Sequence, residues 1–98
     1  MTVRVVPSRA ARADLAGIDQ FSIERFGSSA AADYMATLVK SFRRLPEYPE
    51  IGIAIRGIRP KVRVITSGSH RIVYTFDGER MVIVRILHVA QDIAEALR

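Results

Sequence analysis

The side chains in this sequence best suited to chemistry are one histidine near the end and a run of basic residues before it. His88 follows the apolar run Val82 to Leu87, interrupted by Arg85, and its unperturbed pKa near neutrality would suit a general base. An imidazole needs a second acid or base to complete a proton relay, and the sequence assures none beside it. The expected role is therefore structural, with the ring bonding a backbone carbonyl or Asp92. Arg85 sits between Val84 and Ile86 and calls for a carboxylate or carbonyl partner, because an unpaired buried charge is costly. Asp92 suits the first turn of a final helix, or a pairing with His88 or Arg71. Arg85, His88 and Asp92 thus read as a structural polar cluster. No metal site is expected: the chain has no cysteine, and its two histidines lack an acidic constellation at ligand spacing. Its glycines do not form a phosphate-binding loop, and no cofactor is implied.

The net charge is +5, most of it in the second half. From Ile51 to Phe76 there is no acid, while Arg56, Arg59, Lys61, Arg63 and Arg71 all fall there. Such a patch suits an anionic partner, either nucleic acid or an acidic protein segment. It also suits an edge strand kept from aggregating by its charges.

The elements that must position these residues are legible in outline. The stretch Arg71 to Asp92 reads as two β-rich runs around Asp77-Gly78, where glycine supplies the positive φ of a tight turn. A tight turn would place Ile72, Tyr74, Phe76, Met81, Ile83 and Leu87 on one face. Arg71, Val73, Thr75, Val82, Val84, Ile86 and His88 would lie on the other. Both faces are largely apolar, so this hairpin belongs at the centre of a sheet covered at least partly on both sides.

Ahead of it, Thr2 to Val6 is a short strand stopped by Pro7. Ser8 caps a helix to about Phe26, with Ala11, Leu15, Ile18, Phe21 and Phe26 at near-helical spacing. Gly27 fits its left-handed C-terminus, and Ser28 or Ser29 caps a second helix. That helix carries the stripe Ala31, Tyr34, Met35, Leu38, Phe42 and Leu45 and stops at Pro46. The aromatic residues on both stripes are expected in the core. Glu47 to Pro60 reads as loop, Val62 to Ile65 as a strand, Ser67-Gly68-Ser69 as a turn, and Ala90 to Leu97 as one or two helical turns. The plan is α+β, in the order β-α-α-β-β-β. A helical hairpin packs on a small, mainly antiparallel sheet, and a short C-terminal helix follows.

Ninety-eight residues make one domain, 1–98, long enough for a single core. There is no signal-peptide pattern and no apolar run that would cross a bilayer, so a cytoplasmic protein is the default expectation.

This order resembles the RelE/ParE superfamily of toxins from bacterial type II toxin–antitoxin modules, over essentially the whole chain. The most specific parts are His70-Arg71-Ile72-Val73-Tyr74 and Ile86-Leu87-His88-Val89-Ala90-Gln91-Asp92. The former is similar to the family's Tyr-Arg-hydrophobic-hydrophobic-Tyr strand. The latter resembles the Leu-His…Asp ending common on the ParE side. The loop Gly57-Ile58-Arg59 before a basic strand also fits.

The resemblance implies one of two activities. RelE-like members are ribosome-dependent mRNA endonucleases, and ParE-like members poison DNA gyrase. Cleavage through the 2′-hydroxyl needs a base, an acid and cations for the phosphorane. In a RelE-like reading Lys61, Arg63, Arg71 and His88 would supply these. Yet the next basic position falls near Gln91, which is uncharged. The C-terminal aromatic falls near Leu97, with no Tyr after Tyr74, and Val89 rather than Tyr follows His88. The expectation is therefore a ParE-like, non-enzymatic gyrase inhibitor. The mRNA endonuclease is the alternative, and an inactive binding module the third reading. The resemblance also implies a cognate antitoxin and a hetero-oligomer with it. A disordered antitoxin region would wrap the domain, laying a helix on the helical hairpin and adding a strand to a sheet edge. Its acids would meet Arg56, Arg59, Lys61, Arg63 or Arg71.

Overall fold

Pro7 ends an extended segment, and Ser8 starts a helical one from an extended conformation at φ −68°, ψ 167°. In a computed structural model that describes residues 3–98, these are strand β1, Arg4–Pro7, and helix α1, Arg9–Phe26. Thr2 lies outside the described residues. The Ser8 hydroxyl accepts from the Ala11 N–H at 3.0 Å, satisfying one of the helix's orphan donors. Gly27, at φ +89°, closes α1 by donating to the Ile23 carbonyl, and its own carbonyl accepts from Ala31 to open helix α2, Ser28–Arg43. Ser28 and Ser29 are thus not caps, as expected, but the first residues of α2. A single glycine serves both helix ends.

A 3₁₀ turn, Leu45–Glu47, carries Pro46 and leads into a region expected to be loop. It contains strand β2, Ile53–Ile55, which the punctuation by Gly52 and Gly57 conceals. Strands β3, Val62–Ser67, β4, His70–Phe76, and β5, Arg80–His88, form a meander, and a short helix α3, Ile93–Ala96, follows. The five-stranded sheet has the order β1-β5-β4-β3-β2. β1 runs parallel to β5 and every other pair is antiparallel. At the β4–β5 turn Asp77 accepts from the N–H groups of Glu79 and Arg80, which pulls its pKa down, and Gly78 takes φ +100°.

The hairpin faces differ from those a regular ladder gives. Tyr74 pairs with Ile83 but Val73 pairs with Arg85, so Val84 is an extra residue, a β-bulge. Beyond it the alternation of β5 reverses. Ile86 joins Ile72, Tyr74, Met81 and Ile83 under α1 and α2, and Leu87 joins Val62, Val64 and Val73 on the opposite face. His88 moves with Ile86. The helical hairpin covers the first face with Ala11 and Phe42, joined by Leu45 of the 3₁₀ turn, and α3 packs on the second with Ile93 and Ala96, followed by Leu97.

Phe21 and Phe26 are not core residues: they are 56% and 67% exposed. The cause is a mismatch of rise. From Ile83 to His88 the strand advances roughly 17 Å, which a helix starting at Ser8 covers in about eleven residues. Phe21 therefore reaches only the rim of the sheet, beside Ile86 and His88, and Phe26 lies more than a turn further on.

Tyr74 is wholly buried, and its hydroxyl donates to the Pro49 carbonyl at 2.9 Å while accepting from the Gly52 N–H at 2.8 Å. A Cβ at residue 52 would lie 2.6 Å from that hydroxyl oxygen, so only glycine fits there. Tyr74→Phe leaves two buried backbone groups unpaired. It should cost about 1–3 kcal/mol by chemical denaturation, and an unchanged midpoint would refute this account of the loop.

Candidate functional site

Strand β1 stops opposite Ile83, so the outer edge of β5 beyond it needs other partners. Ser8 donates to the carbonyls of Ile83 and Val84, from its N–H and hydroxyl respectively, both at 2.8 Å. Asp14 takes the next position. Its Oδ2 accepts from the Ile86 N–H at 2.9 Å and from Arg85 Nε at 2.7 Å, and its Oδ1 from Arg85 Nη2 at 2.9 Å. Arg85 Nη1 reaches the Ala96 carbonyl at 3.2 Å. This bidentate pair ties α1, β5 and α3 together, and the hydrogen bonds from Asp14 raise the Arg85 pKa further.

The expected cluster of Arg85, His88 and Asp92 does not form. Asp92 caps α3 by accepting from the Glu95 N–H at 3.0 Å. His88 Nδ1 accepts from Ala90 N–H at 3.1 Å, and the His88 N–H donates to Gln91 Oε1 at 2.9 Å. The neighbour of His88 is instead His70, directly opposite it across β4 and β5, with ring centroids 5.5 Å apart and edge-to-face. Sequence reasoning passed over His70 because a regular ladder sets the two rings on opposite faces.

Tyr34 of α2 completes the group. Its oxygen accepts from the Ser69 N–H at 3.0 Å and shares a 2.6 Å hydrogen bond with His70 Nδ1. The Ser41 and Ser67 hydroxyls bond at 2.9 Å beside it, and together they fasten α2 to the β3–β4 turn. Burial, and then the adjacent His88, lower the His70 pKa from 6.5, while Asp14 acts in the opposite direction. The pair borders a groove of about 390 Å³ between α1 and the strand ends, lined also by Ala13, Gly17, Phe21 and Gln91.

The basic residues separate into two groups. Arg63 Nη1 donates to the Gly52 carbonyl at 2.7 Å and the Glu50 carbonyl at 3.1 Å, so it holds the loop before β2. Arg71 lies with Val73 on the α3 face, opposite His88. Among the described residues Arg56, Arg59 and Lys61 make no side-chain hydrogen bond or ion pair, and they line a shallow depression in the β2–β3 loop. Among the same residues no three His, Asp or Glu side chains gather as metal ligands, and no helix is long and apolar enough to cross a membrane.

The fold is thus an α+β domain with a helical hairpin on one face of a mixed sheet. A family profile described as "ParE toxin of type II toxin-antitoxin system, parDE" matches residues 5–93. The chain is similar to Toxin ParE1 of Mycobacterium tuberculosis, 35% identical over 95% of this chain and 96% of that one. It is also similar to Toxin ParE1 of Caulobacter vibrioides, 38% identical over 83% of each. A solved structure of the chromosomal ParDE TA system from P. aeruginosa superposes with a TM-score of 0.78 at 22% identity, covering 90% of this chain and 97% of that one. The chain belongs to the ParE toxin family of type II toxin–antitoxin systems.

Two outcomes test the geometry. Asp14→Asn deprives Arg85 of its carboxylate and should cost about 2–3 kcal/mol by urea denaturation, with Arg85→Met in the same background recovering part of it. His70 has a lower pKa folded than unfolded, so the unfolded chain binds more protons between the two values. Its contribution to stability is complete above pH 6.5 and declines as the pH falls below that value. Denaturation midpoints should drop over this window in the wild type and drop less in His70→Gln, and parallel profiles would contradict the assignment.

Proposed function

We propose that this toxin acts by binding DNA gyrase in the cytoplasm, without cutting a phosphodiester, and that a cognate antitoxin silences it by wrapping the domain. The observation that carries the reading is the dispersal of the four candidate nuclease residues. Arg63 is occupied by two backbone carbonyls, and Arg71 faces away from His88. Arg63 also lies four positions along β3 from Ser67, the residue opposite His70, a separation on the order of 13 Å. Cations so placed cannot surround one phosphorane, and no Lys or Arg lines the groove beside the two imidazoles.

The antitoxin reading rests on the free edge of the sheet. β2 is the last strand in the order, and Tyr48, Ile51 and Ile53 around it are 59%, 65% and 75% exposed. An added strand would satisfy β2's outer backbone groups and cover those side chains. Acids of the antitoxin would meet Arg56, Arg59 and Lys61, speeding association more than deepening affinity.

Inducible expression separates the activities. Gyrase poisoning predicts a DNA-damage response in cells and loss of supercoiling activity with purified protein. Codon-phased mRNA cuts without DNA damage would instead establish the endonuclease, and a soluble chain with no toxicity in any host would be an inactive binding module. For the patch, the triple variant Arg56→Glu, Arg59→Glu, Lys61→Glu should unfold within about 0.5 kcal/mol of wild type. Its association with antitoxin should slow about tenfold or more at low salt, measured by stopped flow. Arg63 is left out of that variant because its contacts hold the loop.

A further inference from the structure

The groove beside His70 and His88 has a donor pattern set by its surroundings. Ala90 donates its N–H to His88 Nδ1, so the proton of that ring is on Nε2, where it offers an N–H. Gln91 uses its oxygen on the His88 N–H, which leaves its amide N–H groups as donors too. His70 is held beside them by Tyr34 through its own Nδ1. A metal ion would need a lone pair at Nε2, which His88 does not offer in this arrangement.

The floor beside these donors is apolar and shallow. Ala13 and Gly17 of α1 lie below, and Phe21 stands as a wall that is 56% exposed. Gly17 is in the interior of an 18-residue helix, where glycine is less favourable than alanine. A Cβ there would meet nothing within 4 Å, so packing does not demand glycine. The space above it is left open.

We propose that this groove seats one acidic side chain and an adjoining apolar side chain of the antitoxin. The carboxylate accepts from His88 Nε2–H and the Gln91 amide, and the apolar group lies over Gly17 against Phe21. The proposal rests on the antitoxin reading above. A peptide carboxylate fits better than a nucleic-acid phosphate for two reasons. No Lys or Arg lines the groove, and the carboxylate that does, Asp14 of α1, is already paired with Arg85 of β5. Tyr34 of α2 is committed to His70, and Arg71 of β4 is on the far face. The chain's net charge of +5 favours an acidic segment overall.

The test uses the full toxin and its purified cognate antitoxin. Gly17→Leu fills the groove and improves the helix, so it should raise Tm while weakening antitoxin binding about tenfold by calorimetry. His88→Phe keeps the ring's bulk without its donor and should weaken binding several-fold. In the wild type, nitrogen NMR should report His88 as the Nε2–H tautomer, with that proton shifting downfield in the complex. Wild-type affinity retained in a folded Gly17→Leu variant overturns the groove proposal and leaves the antitoxin reading standing. Failure of the wild-type toxin to bind the antitoxin overturns both. Perturbation of the imidazole signals by a short DNA or RNA duplex, and not by the antitoxin, overturns the peptide assignment.

Discussion

One residue too many in β5 sets the arrangement of everything around it. Val84 has no counterpart on β4, and the strand resumes its ladder with the opposite alternation. Without that bulge Ile86 would face α3 and Leu87 would face the helical hairpin. His88 would also lie across the sheet from His70 rather than beside it. The bulge is held from outside by Ser8, whose hydroxyl donates to the Val84 carbonyl, and by Asp14, which receives the Ile86 N–H. The helix that covers the sheet thus also fixes where the sheet breaks its own period. A polar residue at each of two positions on one helical segment substitutes for the strand that β1 is too short to be.

The same economy governs charge. A basic chain at small size risks an unpaired buried cation, and two of its arginines are turned inward. Arg85 is matched by a bidentate carboxylate and a carbonyl, and Arg63 by two carbonyls from a loop with no regular structure. Both act as fasteners between segments distant in sequence. Arg56, Arg59 and Lys61 do no such fastening and stand together around the β2–β3 loop.

The parts of this architecture written locally were legible in the residues. Ser8 with its hydroxyl, Gly27 with positive φ, and Asp77-Gly78 between two β-rich runs each act within a few positions of themselves. The element order follows from those stops. What stayed hidden depends on contacts between distant segments. The bulge has no glycine to announce it, and β2 is three residues long, flanked by glycines that normally mark loops. Gly52 is there because of Tyr74, 22 residues on. Phe21 and Phe26 fit a helical stripe, but the stripe cannot tell where the sheet ends beneath it. The need of Arg85 for a partner follows from its apolar neighbours; that the partner is Asp14 does not. The histidine pair is the extreme case, since it exists only through the shift in register.

The parallel pairing of β1 with β5 carries a consequence for the order in which the molecule can be made. Their residues are about as far apart in the chain as Ser8 and Val84, 76 positions, in a protein of 98. During synthesis the helical hairpin can form early from local contacts, and the meander later from neighbouring strands. The first strand emerges before all of them and waits for the last to leave the ribosome. Until then Val5 and the face of α1 near Ala11 have no sheet to close on. A truncated chain lacking β5 therefore loses both termini of the fold at once. The β1–β5 pairing is therefore the longest loop closure in the sheet, and it joins the first strand of the fold to the last.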